Sequence, residues 1–299
     1  MPPIPPPRES GFTTTTPVPL YWCTYGPAGA PRLLVLHGGP GAHHDYLLPQ
    51  LLELAGEHEL VFYDQRGGGK SKTDDRAPIT WETHVEDLRA VVAELRLARP
   101  SIVGYSWGGM LALLYARAAA ADATLPRPAR MALIDPAPLS REWRTQFEAE
   151  FGRRQQGAGV LALREELAAS GLRERDPEAY RQRTFELSVA GYFHDPAKAR
   201  DLTPFRVTGR VQQSVWDSLG DFDLVADLKA VAPLGYPVQV VHGREDPIPL
   251  ESSEALARAL GTEPVVLNEC GHVPYVEQPD ALFAALRRFL RETTPDAGP

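Results

Sequence analysis

Along this chain, short continuous apolar runs alternate with longer stretches in which apolar residues recur every three or four positions. The runs are Arg32-Leu-Leu-Val-Leu-His37, Glu59-Leu-Val-Phe-Tyr-Asp64, Ser101-Ile-Val-Gly-Tyr105, Met131-Ala-Leu-Ile-Asp135, Tyr236-Pro-Val-Gln-Val-Val-His-Gly243 and Pro264-Val-Val-Leu-Asn268. Each is too short for an ordinary helix, and an unbroken apolar run of this length suits a parallel strand buried on both faces. Between them, Thr80 can cap a helix that puts Val85, Leu88, Val92 and Leu95 on one face. Met110 to Ala120 is free of Gly and Pro and rich in strong helix formers. Further helices are predicted around Ser252 to Leu260 and over Asp280 to Arg291, the last with Leu282, Phe283, Leu286 and Phe289 inward. Strands alternating with helices at this spacing predict an α/β fold with a mostly parallel sheet and helices on both faces.

Two segments depart from that rhythm. Met1 to Pro7 is proline-rich and reads as an extended or disordered leader, taken here to 1–11, while Phe12 to Tyr25 reads as one or two edge strands. From Leu139 to about Ala232 the strand-like runs vanish and helical patterns take over, which predicts a helical cap at 139–232 inserted into a core of 1–138 and 233–299. Trp143, Phe147 and Phe151 form an aromatic stripe in this cap, the pattern of packing rather than of substrate contact.

Composition narrows the function classes. The net charge is −8 and no Lys or Arg block stands out, so neither nucleic acid nor an anionic membrane is expected as a partner. Cys23 and Cys270 are far apart and in no metal-like spacing, which fits a reducing compartment. With no apolar run long enough for a membrane span or a secretory signal, a cytoplasmic location is expected.

The candidate chemistry centres on Gly104-x-Ser106-x-Gly108, at the junction of the Ser101 strand and the Met110 helix. A serine at such a corner is held in a strained conformation that lifts its hydroxyl clear of both elements, and close packing of strand on helix excludes side chains at 104 and 108. A serine hydroxyl is a poor nucleophile unless a base stands beside it and a carboxylate orients that base. His272 lies in a loop after a strand, between Gly271 and Pro274, and Asp246 lies just beyond another strand end. His43, His44, His58, His84 and His194 lack that setting, and His242 falls on the sheet itself. Asp135 also follows a strand and stands as the rival acid. His37-Gly-Gly-Pro-Gly41 can turn sharply and present bare N–H groups to an oxyanion. Gly69-Lys70-Ser71 ends like a phosphate loop, but Asp64 stands where that motif needs glycine, so nucleotide binding is set aside. Adjacent His43 and His44 lack partners at ligand spacing. No cofactor and no metal are expected.

In these residues, and in the chain order Ser106, Asp246, His272, the sequence resembles the α/β-hydrolase superfamily over nearly its whole length. His37-Gly-Gly-Pro-Gly41, Asp64-Gln-Arg-Gly67 and Ser106-Trp107-Gly108 are similar to the proline iminopeptidase family of serine aminopeptidases. The resemblance implies an oxyanion hole at the backbone N–H groups of about Gly39 and Trp107, a cap over Ser106, and release of N-terminal residues from short peptides. It also implies cap carboxylates for the substrate's amine, often in a Gly-Pro-x-Glu-Phe-like stretch. Here the matching stretch reads Ser214-Val-Trp-Asp217-Ser-Leu-Gly-Asp221, and Pro247 follows Asp246. Glu186, Asp217 and Asp221 are the candidate anchors. The alternative is a carboxylesterase or lactonase acting on small apolar acyl substrates, with no paired carboxylates in its pocket. Rates on proline p-nitroanilide and p-nitrophenyl butyrate separate the two. A binding protein without turnover is a third reading, which labelling by a fluorophosphonate would exclude. Epoxide hydrolases and haloalkane dehalogenases place Asp where this chain has Ser106.

Overall fold

The computed structural model describes residues 3–231 and 233–292. Met1 and Pro2 of the expected leader, position 232 at the expected cap boundary, and 293–299 of the expected core lie outside them. Eight strands form one sheet: β1 (Glu9–Phe12), β2 (Tyr21–Tyr25), β3 (Arg32–Leu36), β4 (Glu59–Tyr63), β5 (Ser101–Tyr105), β6 (Arg130–Ile134), β7 (Val238–Gly243) and β8 (Val265–Leu267). Their order is β1-β2-β4-β3-β5-β6-β7-β8. The pairs from β4 through β8 are parallel, and β1 and β2 add an antiparallel edge. The α/β-hydrolase architecture read from the strand and helix patterns is therefore the one observed.

The leader is corrected at its carboxyl end. Glu9–Phe12 pairs with β2, and Arg8 bonds the Thr24 carbonyl and forms an ion pair with Glu59. Open backbone along β2 supplies the hydrogen bonds that a proline-rich start by itself does not suggest.

Side chains alternate across the sheet. Leu34 and Leu36 of β3 join a core under α1 (Trp81–Glu94), α2 (Trp107–Ala121), α8 (Leu224–Val231) and α9 (Leu250–Leu260), whereas Leu33 and Val35 join the core under the last helix, α10 (Pro279–Arg291). Thr80 caps α1 in a reciprocal pair with Thr83. Helix α2 is buried nearly all round, from Trp107 and Met110 to Tyr115, as befits a helix that is apolar on every face.

Between β6 and β7 the chain leaves the sheet as α3 (Arg141–Arg154), α4 (Ala158–Ala169), α5 (Leu172–Arg175), α6 (Pro177–Val189) and α7 (Gly209–Ser218). Helix α8 already packs on α2 and α9, so it flanks the sheet although the expected cap reached 232. Its Leu224, Val225 and Leu228 are buried in the same core as Leu34. In the α3 stripe, Phe147 and Phe151 lie 6.2 and 4.5 Å from the Tyr192 ring, and Trp143 packs on the sheet-side core. The stripe serves packing. No helix among the described residues is long and apolar enough to cross a membrane.

The strand order turns back at β3: β4 lies on one side of it and β5 on the other. The loops leaving the carboxyl ends of β3 and β5 must diverge, and that crevice is where open parallel sheets bind ligands. His37 to Gly41 leave β3 there, and Ser106 leaves β5.

Candidate active site

Ser106 sits between β5 and α2 at φ 53° and ψ −120°, a conformation costing about 1–3 kcal/mol. Neighbouring backbone holds it in place. Its N–H donates to the Ile134 carbonyl at 2.9 Å, and its own carbonyl accepts from Gly109 and Met110. The flanking glycines have a steric reason. A Cβ at Gly104 would lie 2.6 Å from the Gly108 carbonyl oxygen, and one at Gly108 would lie 2.1 Å from that of Leu36.

His272 Nε2 lies 3.0 Å from Ser106 Oγ, and its Nδ1 lies 2.7 Å from Asp246 Oδ2. The imidazole is gripped from both sides. Its backbone N–H donates to Tyr192 of the cap at 2.7 Å, its carbonyl accepts from the Tyr105 hydroxyl at 2.8 Å, and both tyrosine rings flank it. Asp246 Oδ1 accepts from the Ile248 N–H at 2.7 Å. Burial pushes the Asp246 carboxyl up, but the charge and hydrogen bond of His272, with His242 and the Ile248 N–H, outweigh it and hold the group below its ordinary value.

Asp135 ends up elsewhere. It is fully buried after β6, and its Oδ1 accepts from the Gly243 N–H at 2.8 Å. Burial and then the charge of Asp246 push its carboxyl well above the usual range. Asp135, His242 and Asp246 are the one group of potential metal ligands that lie together among the described residues. Most of their atoms are engaged, His242 by Ser253 and the Ile248 carbonyl, Asp246 by His272 and Asp135 Oδ1 by the Gly243 N–H, while Asp135 Oδ2 is buried without a hydrogen-bond partner.

The loop after β3 is built around His37. Its Nδ1 lies 2.6 Å from the Gly38 carbonyl and its Nε2 accepts from the Gln65 N–H at 3.0 Å, which assigns a neutral tautomer. Burial lowers this imidazole to about 4, consistent with that form. Gln65 then ties the site together, donating to the His37 carbonyl and accepting from Trp107 Nε1 at 2.9 Å. The Gly38 N–H donates to the Tyr46 hydroxyl at 2.6 Å. No turn, loop or side-chain acceptor takes the N–H of Gly39 or Trp107 among the described residues. The residues after Asp64 also have a structural role: Asp64 accepts from Lys70 N–H and from both nitrogen donors of His44 that face it, so this loop is a brace.

A cavity of about 320 Å³ opens over Ser106. Tyr46, Tyr105, Phe185, Val189, Tyr192, Phe205 and Tyr275 supply most of its wall, with Gln212 and Ser188 as polar groups, and no carboxylate lines it among the described residues. The three expected amine anchors are not there. Glu186 is paired with Arg183 at 2.8 Å and accepts from Gln182, in a separate crevice beside Leu163 and Leu167. Asp217 is exposed and accepts from Gln213, while Asp221 borders a surface cleft near Trp81 and Leu219. Helical phase explains the first case. Phe185, Ser188 and Val189 share the face of α6 toward Ser106, and Glu186 is turned about 100° away. Sequence reading also missed Tyr46, Tyr192, Phe185 and Phe205; only Gln65 carried a signal, as part of Asp64-Gln-Arg-Gly67.

A hydroxyl, an imidazole and a carboxylate in one hydrogen-bonded line, beside two free N–H groups, can deliver a serine oxygen to a carbonyl carbon. Residues 33–286 match the model of the alpha/beta hydrolase family. The chain belongs to that family. Among curated relatives of this α/β hydrolase, the proline iminopeptidase of Lactobacillus crispatus is 45% identical over 87 residues, 28% of this chain and 29% of that protein. The chain thus matches less than a third of the length of such relatives. Among solved structures, a proline iminopeptidase-related protein from Thermus thermophilus superposes with a TM-score of 0.71 at 24% identity, covering 94% of this chain and 96% of the other. A thermophilic esterase from Thermogutta terrifontis does so at 0.59 and 26%, covering 95% and 98%. The first of these likenesses is one of fold.

Proposed function

We propose that this α/β hydrolase is a carboxylesterase- or lactonase-type serine hydrolase whose cavity over Ser106 takes the apolar, uncharged part of an acyl substrate. Ser106 is the nucleophile, His272 the general base and Asp246 its orienting acid, with Gly39 and Trp107 N–H groups receiving the oxyanion. His272 takes the Ser106 proton as Oγ attacks the carbonyl carbon. The tetrahedral intermediate collapses by returning that proton to the leaving alcohol, and water activated by the same imidazole releases the acid.

The observation that carries the choice of substrate is the wall over Ser106, aromatic and aliphatic with no carboxylate. A free N-terminal amine has a reference pKa near 8 and is largely protonated at neutral pH, so burying it there without a counter-charge is costly. The matched segment of the Lactobacillus crispatus enzyme supports proline iminopeptidase activity as the second reading. Hydrolysis of p-nitrophenyl butyrate should greatly exceed that of proline p-nitroanilide, and Ser106→Ala should reduce it by roughly 10⁴- to 10⁶-fold while leaving a folded protein. Preference for the proline substrate, abolished by acetylating its amine, would reverse the ranking of the two readings.

A further inference from the structure

A second and larger cleft, about 880 Å³, lies between cap and core. It shares Phe185 and Phe205 with the cavity over Ser106. The segment between α6 and α7 separates the two: Phe205 and Val207 line the inner cavity, while Arg206 and Thr208 line the outer one. The outer walls carry four cations against two carboxylates. Lys72, Arg181, Arg206 and Arg210 line the cleft together with Asp74, Glu178 and His43. This excess of positive groups stands out in a chain of net charge −8.

These cations lack the partners that their neighbours have. Arg183, two residues from Arg181, is tied to Glu186 and Glu166. Lys72, Arg181 and Arg206 form no ion pair or hydrogen bond among the described residues, and Arg210 is steadied only by the Asp75 carbonyl at 3.1 Å. Four exposed cations line this one cleft, and their mutual repulsion, though screened by solvent, is relieved by an anionic ligand.

We infer that this cleft is an anion-binding vestibule, so that the substrate is an acyl compound whose distal end carries a carboxylate or a phosphate. The inference rests on the acyl-hydrolase reading of Ser106 given above. The uncharged part occupies the apolar cavity, and the anion remains outside Phe185 and Phe205 among Arg181, Arg206, Arg210 and Lys72. The guanidinium groups suit either anion, because both offer paired oxygens to a planar fork.

The test compares kcat/KM for p-nitrophenyl butyrate and for the p-nitrophenyl monoester of glutaric acid, which ends in a free carboxylate. The parent protein should prefer the anionic ester, and the preference should shrink as salt is raised toward about 1 M, where screening acts within about 3 Å. Combining Arg181→Gln with Arg206→Gln should lower the anionic-to-neutral ratio about tenfold, which is about 1.4 kcal/mol. A ratio unchanged in that double variant overturns the inference. Calorimetric titration with glutarate and with inorganic phosphate reads the vestibule without turnover. Binding that is lost in the double variant supports it, and the anion that binds identifies the headgroup. If proline p-nitroanilide is cleaved and neither ester is, the acyl-ester reading falls, and the titration alone decides the vestibule: no binding of either anion sinks it.

Discussion

Asp135 and Asp246 lie together at the ends of β6 and β7, yet only Asp246 reaches His272, 2.7 Å from its Nδ1. Asp135 instead receives the Gly243 N–H, and burial, then the charge of Asp246, push its carboxyl above the usual range. Asp246→Asn should therefore lower kcat by about 10⁴-fold, because an amide no longer holds the working tautomer of His272. Asp135→Asn keeps the shape of a side chain that makes no hydrogen bond to His272 and should leave kcat within an order of magnitude. Steady-state kinetics on p-nitrophenyl butyrate check the ranking, and equal losses would move the orienting role to Asp135.

The buried pair His44–Asp64, at 2.7 Å, sets a pH window for stability. Burial pulls the His44 imidazole down, but the hydrogen bonds and charges of Asp64 and Cys23 prevail and raise it to about 10. Burial likewise pushes Asp64 up, and His44 prevails to lower it to about 2. The raised histidine contributes stability that is complete below its ordinary value of 6.5 and is lost as pH rises through 10; the lowered aspartate contributes stability that is complete above 3.8 and is lost as pH falls through 2. His44→Gln should cost about 3–5 kcal/mol near neutrality, since it strands a buried carboxylate. The stability difference between parent and variant, measured by urea unfolding, should narrow from pH 7 to pH 10; a constant gap would contradict the assignment.

Gly108→Ala tests the geometry that positions Ser106. The added methyl would meet the Leu36 carbonyl at 2.1 Å, backbone that cannot move without parting β3 from α2. A stability loss of at least about 1–3 kcal/mol is expected, together with lost turnover. Thermal unfolding at unchanged Tm would show that the strand-to-helix contact is looser than described.

Glu186→Gln addresses the expected amine site. Because Glu186 faces Arg183 in a crevice apart from Ser106, the variant should retain ester hydrolysis within a few-fold of the parent. A large rise in KM for proline p-nitroanilide, with ester hydrolysis spared, would instead return Glu186 to an amine-binding role.

Sequence alone determined the elements whose signals are local. Unbroken apolar runs identified β3 through β8 because burial on both faces leaves no room for polar alternation, and the glycines around Ser106 marked a contact that only hydrogen at Cα permits. The order Ser106, Asp246, His272 was legible because each follows a strand, and strand ends in a parallel sheet converge on one rim. Tertiary structure decided what depends on helical phase and on chains meeting from afar. Two adjacent residues of α6, Phe185 and Glu186, have opposite surroundings, and nothing in the local pattern says which of them faces Ser106. Both Asp135 and Asp246 follow strands, and although the sequence already favoured Asp246, the contact itself depends on which turn brings its carboxylate to an imidazole 26 residues past Asp246. The cationic cleft, too, exists only where Lys72 of the core and Arg181, Arg206 and Arg210 of the cap are folded against each other, since along the chain Lys72, Arg181 and the pair Arg206 and Arg210 are far apart.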